Sequence, residues 1–404
     1  MAELKSNLWK FNLYAIIAGF VLYYSFDKIL MQMRGLSVTE IVLVEIVFAL
    51  TAIIFEVPSG VLSDKWERRK VLALNSFFFM LNTFFWVIGQ NVYFFLLGGM
   101  FAGIHVALIS GTFTSLVYDT LKQLGNEEVY EKIWGNIASY EAATMVVAGV
   151  IGGMIAGRFG ITIPFWLTFV FSTIAILIAL SLKEPTVHRQ SEETKYWEHI
   201  KTTFAYLWRH PTLYHLIVLM MMLLGTLGLM DEYMQLYFVK VGVPLFFLGY
   251  LGAFGNGIES VGMKLSYLLN RFQRKNVYGF FIIMSTAGFL LTATFQNIYG
   301  IIFPFLTLFA SFTAVPLMLT DLHRELPSTH RATGESFVAF VERLFLVPIA
   351  LGFSYLADNL SIFTAYFGVG LLLAFYLLVY FFWSYRFVPT TLAPSLKTVN
   401  DKVG

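Results

Sequence analysis

Apolar stretches long enough to cross a bilayer recur about every thirty residues from one end of this chain to the other. They run near 11–33, 38–63, 71–89, 92–118, 133–157, 161–182, 212–239, 245–269, 277–296, 298–320, 334–357 and 361–385. Each approaches the roughly 20 apolar residues that a spanning helix needs. Hydrophobic residues make up 58% of the chain and charged ones 13%, against about 25% charged in soluble domains. Only lipid absorbs that excess of apolar surface. The pattern predicts an all-α integral membrane protein with twelve transmembrane helices. The first run follows Lys5 and Lys10 but is long, lacks a small-residue cleavage site and precedes many further spans. It reads as an uncleaved first helix. Ser37-Val38-Thr39-Glu40 reads as a capping box opening the second.

Basic residues orient the helices. With both termini and the even-numbered loops on one side, only Lys28, Arg34, Arg158 and Lys240 fall on the other. Lys264 and Arg343 fall inside spans, leaving 21 of the 27 on the first side. The positive-inside rule then puts both termini in the cytoplasm. The net charge of +2 gives no basis for nucleic-acid binding. The absence of cysteine excludes disulfides and thiolate metal sites. No cofactor or metal site is expected.

Residues 183–211 form the only long polar stretch between spans. They divide the chain into a first bundle at 1–182, this linker, a second bundle at 212–386 and a tail at 387–404. In the linker, Trp197, Ile200, Phe204 and Leu207 recur at helical spacing among Lys195, Glu198 and Lys201. That pattern fits an amphipathic helix on the membrane face, serving as a tether or as a regulatory element.

The two bundles match each other. Asp64-Lys65-Trp66-Glu67-Arg68-Arg69-Lys70-Val71 is answered 206 residues later by Asn270-Arg271-Phe272-Gln273-Arg274-Lys275-Asn276-Val277. Gly149 and Gly153 stand where Pro348 and Gly352 stand in the second half. Parallel repeats of this kind are a carrier architecture, with the solute site near mid-membrane.

On these residues the chain resembles the major facilitator superfamily. That family carries a Gly-x3-Asp-[Arg/Lys]-x-Gly-[Arg/Lys]-[Arg/Lys] motif between its second and third helices. Here it stands as Gly60 to Arg69, with Glu67 replacing the second glycine. The resemblance implies two pseudo-symmetric six-helix bundles and transport by alternating access. It also implies a latch formed by Gly60, Asp64, Lys65, Arg68, Arg69 and Asp119. In that latch Gly60 permits close helix contact, Asp64 meets the start of the eleventh helix near Gly334, and Arg68 pairs with Asp119. The alternative is a purely topogenic basic cluster. Asn270, Arg271 and Arg274 form the second copy. The outline is that of the drug–proton antiporter branch, with its signatures eroded. Gly99 to Gly103 lacks that branch's fourth-helix Arg, and Gly149 to Gly153 keeps only the final Gly pair of its fifth-helix motif.

Ionisable groups inside spans are costly and therefore functional candidates. The candidates are Asp27, Glu45, His105, Glu141, Asp231, Glu232, Glu259 and Arg343. Glu141 and Glu259 are the deepest isolated carboxylates. Each either carries protons or pairs structurally with Arg343, Lys264 or a tyrosine. Asp27-Lys28 and Asp231-Glu232 alternatively sit at the outer interface, where Lys28 snorkels. His105 reads as a satisfied buried histidine or a proton relay. Tyr23, Tyr24, Trp86 and Tyr140 either line a cavity suited to lipophilic cations or belong to interfacial belts.

The chain is thus expected to be a proton-driven secondary carrier, monomeric, in a bacterial inner or plasma membrane. Its expected partners are lipid, protons and a small-molecule substrate. Efflux of an amphipathic compound is favoured over nutrient import. A receptor or sensor on the same fold is the alternative from another class. No Walker loop, His-Glu-x2-His pair or Gly-x-Ser-x-Gly elbow supports an enzyme. The repeat makes one prediction: accessibility tags placed at 65–70 and at 271–275 report the same side of the membrane. Tags on opposite sides would dissolve the duplication.

Overall fold

The computed structural model describes residues 2–186, 211–326 and 331–387. The expected amphipathic helix of the linker and the tail beyond Phe387 lie outside them. Among the described residues the regular structure is helical throughout. In chain order the α-helices are α1 (Ala2–Lys5), α2 (Asn7–Ala18), α3 (Asp27–Met33), α4 (Val38–Lys65), α5 (Arg68–Ile88), α6 (Val92–Ile109), α7 (Thr112–Gln123), α8 (Tyr130–Phe159) and α9 (Thr162–Ser181). Then follow α10 (Pro211–Lys240), α11 (Leu245–Leu265), α12 (Arg274–Thr294), α13 (Phe303–Glu325), α14 (Arg331–Asn359) and α15 (Ile362–Phe387).

Ten stretches among the described residues are long and apolar enough to cross a membrane. Two of the expected twelve differ. In the eighth, α11, Asn256, Glu259 and Lys264 dilute the apolar run, and a 3-10 turn at Ser266–Arg271 ends it. The first is broken. It stops at Ala18 and restarts at Asp27. Across the break the backbone turns on itself, with Val21 N–H donating to Gly19 O at 2.8 Å and Phe26 N–H to Tyr23 O at 3.0 Å. Leu22 N–H donates to Thr168 Oγ1 of α9 at 3.0 Å. Tyr23 donates to Asn82 Oδ1 at 3.1 Å and stacks on Phe165 at 4.2 Å. These partners replace the lost helical bonds, which hydrocarbon would otherwise leave unpaid. The space for the break comes from Gly152, because a Cβ there would collide with the Leu22 carbonyl.

The fourth span also divides, at Gly111, whose φ of +73° suits glycine. Its first half, α6, settles onto α4 through glycines. A Cβ on Gly103 would meet Phe48 O, Thr51 and Ala52 N. The capping box at Ser37 is present, with Glu40 N–H donating to Ser37 Oγ at 3.2 Å and Ser37 N–H to Glu40 Oε2 at 2.8 Å.

Residues 2–186 together with Val243–Ala253 form one compact unit, and residues 211–242 with 254–387 form another. The core of the first gathers Phe11, Tyr14, Leu72, Phe113, Leu116, Ile137 and Ala179. That of the second gathers Leu223, Phe281, Ile282, Ala314, Met318 and Tyr376. Packing repeats between them. In the first unit α5 lies against α6 and α9, and α2 against α8 and α9. In the second α12 lies against α13 and α15, and α10 against α14 and α15. Third-to-fourth, third-to-sixth, first-to-fifth and first-to-sixth neighbours therefore recur.

Val243–Ala253 joins the first unit through a glycine seam. Gly249 meets Gly149 backbone to backbone, and a Cβ on Gly153 would lie 3.0 Å from Gly249 N. The surviving Gly152-Gly153 pair is thus explained by packing on both sides. Gly152→Ala is expected to destabilise the protein by about 1–3 kcal/mol through overpacking against Leu22, seen as a lowered Tm in detergent. Gly60→Ala, whose Cβ meets open space, should not lower it.

Candidate functional site

Two charged assemblies stand out in the first unit, one inside the broken first span and one at the junction of α4 and α5.

The break places Asp27 and Lys28 at the start of α3. Lys28 Nζ donates to Asp27 Oδ2 at 2.8 Å and pairs with Glu45 Oε1 of α4 at 2.9 Å. Lys28 N–H also donates to Asp27 Oδ1 at 2.9 Å. The Lys28 and Asp27 side chains are 4% and 6% exposed and Glu45 is 24% exposed. The assembly holds two carboxylates against one ammonium. Asp27 and Lys28 are buried within the unit, and Lys28 meets one acid on α3 and another on α4. Sequence spacing has no signal for this, since Asp27 and Glu45 lie eighteen residues apart on separate helices.

A neutral network links α2, α5 and α6. Tyr14 donates to Asn75 Oδ1 at 3.2 Å and lies 2.9 Å from Ser76 Oγ. Asn75 Nδ2 donates to His105 O at 2.7 Å and lies 2.9 Å from His105 Nδ1. His105 is thus a half-buried, satisfied side chain packed on Phe79. Tyr23 and Trp86 are both buried, Trp86 donating to Phe95 O at 3.2 Å. They pack inside the unit. Tyr24 and Tyr140 are exposed.

At the other assembly Arg68, the first residue of α5, forms an ion pair with Asp119 of α7. Their side chains are 11% and 15% exposed. Glu67 occupies the N-cap position but makes no cap bond. Its carboxylate instead accepts from Lys70 Nζ at 2.7 Å and Arg69 Nε at 2.6 Å. Those bonds, Lys70 first, hold the Glu67 carboxyl below the usual range. The amides at the head of α5 go to Glu184, whose two oxygens accept from Arg68 N–H at 2.8 Å and Arg69 N–H at 3.0 Å. A carboxylate at this end of a helix is also favoured by the dipole. Asp64 and Lys65 are exposed at the end of α4. Gly60 has no neighbour within 4 Å of a built Cβ. Among the described residues, that face of α4 therefore has room beside Gly60.

The second unit carries the same device. Arg274 Nε donates to Asp321 Oδ1 at 3.2 Å, and Tyr278 donates to Asp321 Oδ2 at 2.6 Å. Arg274 NH2 donates to Asn270 Oδ1 at 2.9 Å. Arg271 lies over the Phe272 ring at 5.0 Å. Asp321 was legible only by extending the repeat, since it stands 202 residues after Asp119 as Arg274 stands 206 after Arg68.

The remaining candidates lie on four other helices. Glu141 is exposed on α8 and Glu259 half-buried on α11, and neither has a hydrogen bond or ion pair among the described residues. Asp231 and Glu232 are half-buried in α10. Arg343 is exposed on α14. Ser110 Oγ donates to Glu56 Oε1 at 3.3 Å, tying α4 to the α6–α7 break.

A family profile described as Major Facilitator Superfamily matches residues 11–347. An uncharacterized MFS-type transporter of Methanocaldococcus jannaschii is 24% identical over 83% of this chain and 86% of its own length. Multidrug resistance protein 1 of Bacillus subtilis is 25% identical over 46% of each chain. An uncharacterized transporter of Buchnera aphidicola is 26% identical, and this chain spans about a third of it, 32%. Among solved structures, the nucleoside transporter NupG superposes with a TM-score of 0.74 at 15% identity, over 93% of this chain and 98% of that one.

Removing the cation at the break takes away the ammonium that meets both Asp27 and Glu45. Lys28→Met is expected to cost about 3–5 kcal/mol, read as lost thermal stability of the purified protein. Adding Glu45→Gln should restore part of it. A Lys28→Met protein as stable as the parent would show that the three groups are not coupled.

Proposed function

This chain belongs to the Major Facilitator Superfamily, and on that premise we propose that it is a proton-coupled exporter of amphipathic, drug-like compounds, lipophilic cations above all. It is a multi-pass membrane transporter and not an enzyme. The single observation that carries the substrate reading is the Asp27–Lys28–Glu45 assembly, a cluster of charges set inside the first unit beside the broken first span. Ionisable groups gathered within membrane-spanning helices mark substrate and ion pathways. The partial likeness to a Bacillus multidrug resistance protein supports the same direction.

In this reading the protein alternates between states open to either side. The Arg68–Asp119 pair and Asp64 latch the outward-facing state, and breaking the latch frees the inward-facing one. Glu141 and Glu259 are the proton carriers, because neither carboxylate is committed to a partner among the described residues. The termini are cytoplasmic and the carrier works as a monomer in the cell membrane. A proton-coupled importer of a nutrient is the second reading. The observation favouring it is that Gly99 and Gly103, in the segment where antiporters carry an arginine, serve helix packing against Val44 and Phe48.

The test is ethidium uptake into everted vesicles under an imposed proton gradient. Export predicts uptake with alkalinisation of the lumen, whereas import predicts the opposite pH change. Asp64→Asn is expected to slow the initial rate about tenfold with unchanged protein level, and normal turnover removes the latch. Of Glu141→Gln and Glu259→Gln, at least one should abolish gradient dependence. Retention of full proton-driven uptake by both would sink their assignment as carriers.

A further inference from the structure

Helix α9 ends at Ser181, and the chain leaves it in an extended conformation at Leu182, with φ −66° and ψ 151°. The next few residues are bonded to three separate helix ends. Lys10 Nζ, from α2, donates to Ser181 O at 2.6 Å. Asn7, at the start of α2, exchanges two bonds with the Lys183 backbone, at 2.8 and 3.0 Å. Glu184 accepts from the first two amides of α5 at 2.8 and 3.0 Å. Thr186 and Gln123, the last residue of α7, exchange two bonds of 2.8 Å each. A run this short, extended, reaches about 20 Å, enough to strap the ends of several packed helices.

Two of those helix ends carry the two members of the buried ion pair. Arg68 opens α5, and Asp119 lies one turn before Gln123 in α7. Arg68 is gripped from both ends, its guanidinium by Asp119 and its amide by Glu184. Glu67 does not provide that cap, because its carboxylate is occupied by Arg69 and Lys70. We propose that Glu184 is a positioning residue for transport: through it, the strap 181–186 holds α5 and α7 in the register at which Arg68 and Asp119 meet.

This inference rests on the latch reading, and the experiment separates the two. The purified full chain in nanodiscs is followed by amide hydrogen exchange in two windows, 66–74 in α5 and 116–124 in α7. Glu184 bonds directly into the first, through the Arg68 and Arg69 amides. Glu184→Gln is expected to speed exchange about tenfold in both windows. Gln123→Ala, which cuts the other end of the strap, is expected to loosen 66–74 as well as 116–124. In everted vesicles Glu184→Gln should lower the maximal rate of ethidium uptake several-fold with the half-saturating concentration unchanged. Loosening confined to 66–74 makes Glu184 a local cap and overturns the proposal, as does an unaltered maximal rate. If Asp64→Asn transports normally while both windows still loosen together, the latch reading fails and the strap stands.

Discussion

Inside hydrocarbon, a backbone amide that leaves its helix has no water to bond to, and the rest of the first unit is arranged around that constraint. The chain breaks its first span between Gly19 and Phe26, and every device nearby serves the break. Thr168 supplies an acceptor for Leu22, Gly152 withholds a Cβ so that the Leu22 carbonyl fits, and Phe165 with Asn82 anchors Tyr23. In return, the restarted helix delivers a lysine to a place an unbroken helix would not reach. The Asp27–Lys28–Glu45 assembly is thus a consequence of backbone accounting before it is a matter of charge.

Charge is handled alike in the two units, with cations set against acids of the same unit. Arg68 has Asp119, Arg274 has Asp321 and Lys28 has two acids. Buried pairs of this kind add little net stability, but removing one member is expensive. They therefore suit elements whose geometry must be kept rather than elements that hold the fold together. Apolar contact among residues such as Phe11, Leu72 and Phe113, or Phe281 and Met318, does the latter.

Features governed by local spacing were legible in the sequence. The spans, the Ser37–Glu40 box, the duplicated junction and the approach of Arg68 to Asp119 all follow from periodicity, capping chemistry or the family pattern. The features that were not legible depend on contacts between distant segments. Lys28 reads as an interfacial lysine until Glu45 is found beside it. Glu184 reads as the first acid of a polar linker, yet it caps a helix 116 residues earlier. Gly60 fits the motif by position, but its neighbourhood is open. Glu67 reads as a lapse from the motif. The structure gives it a role that glycine lacks, gathering Arg69 and Lys70 and so leaving the head of α5 to Glu184.

The two copies of the charged junction differ. In the second, Asn270 replaces the acid and bonds Arg274 directly, while Tyr278 shares Asp321 with that arginine. All its polar partners sit within one unit, and the aspartate is held by a neutral hydroxyl as well as a cation. In the first, the arginine has a single acidic side-chain partner, and its backbone depends on a residue from the connecting segment. The acid Asp64 stands exposed at the helix end. Duplication has thus kept the arginine–aspartate pair in both halves and varied its surroundings, Asn270 and Tyr278 in the second and Glu184 in the first.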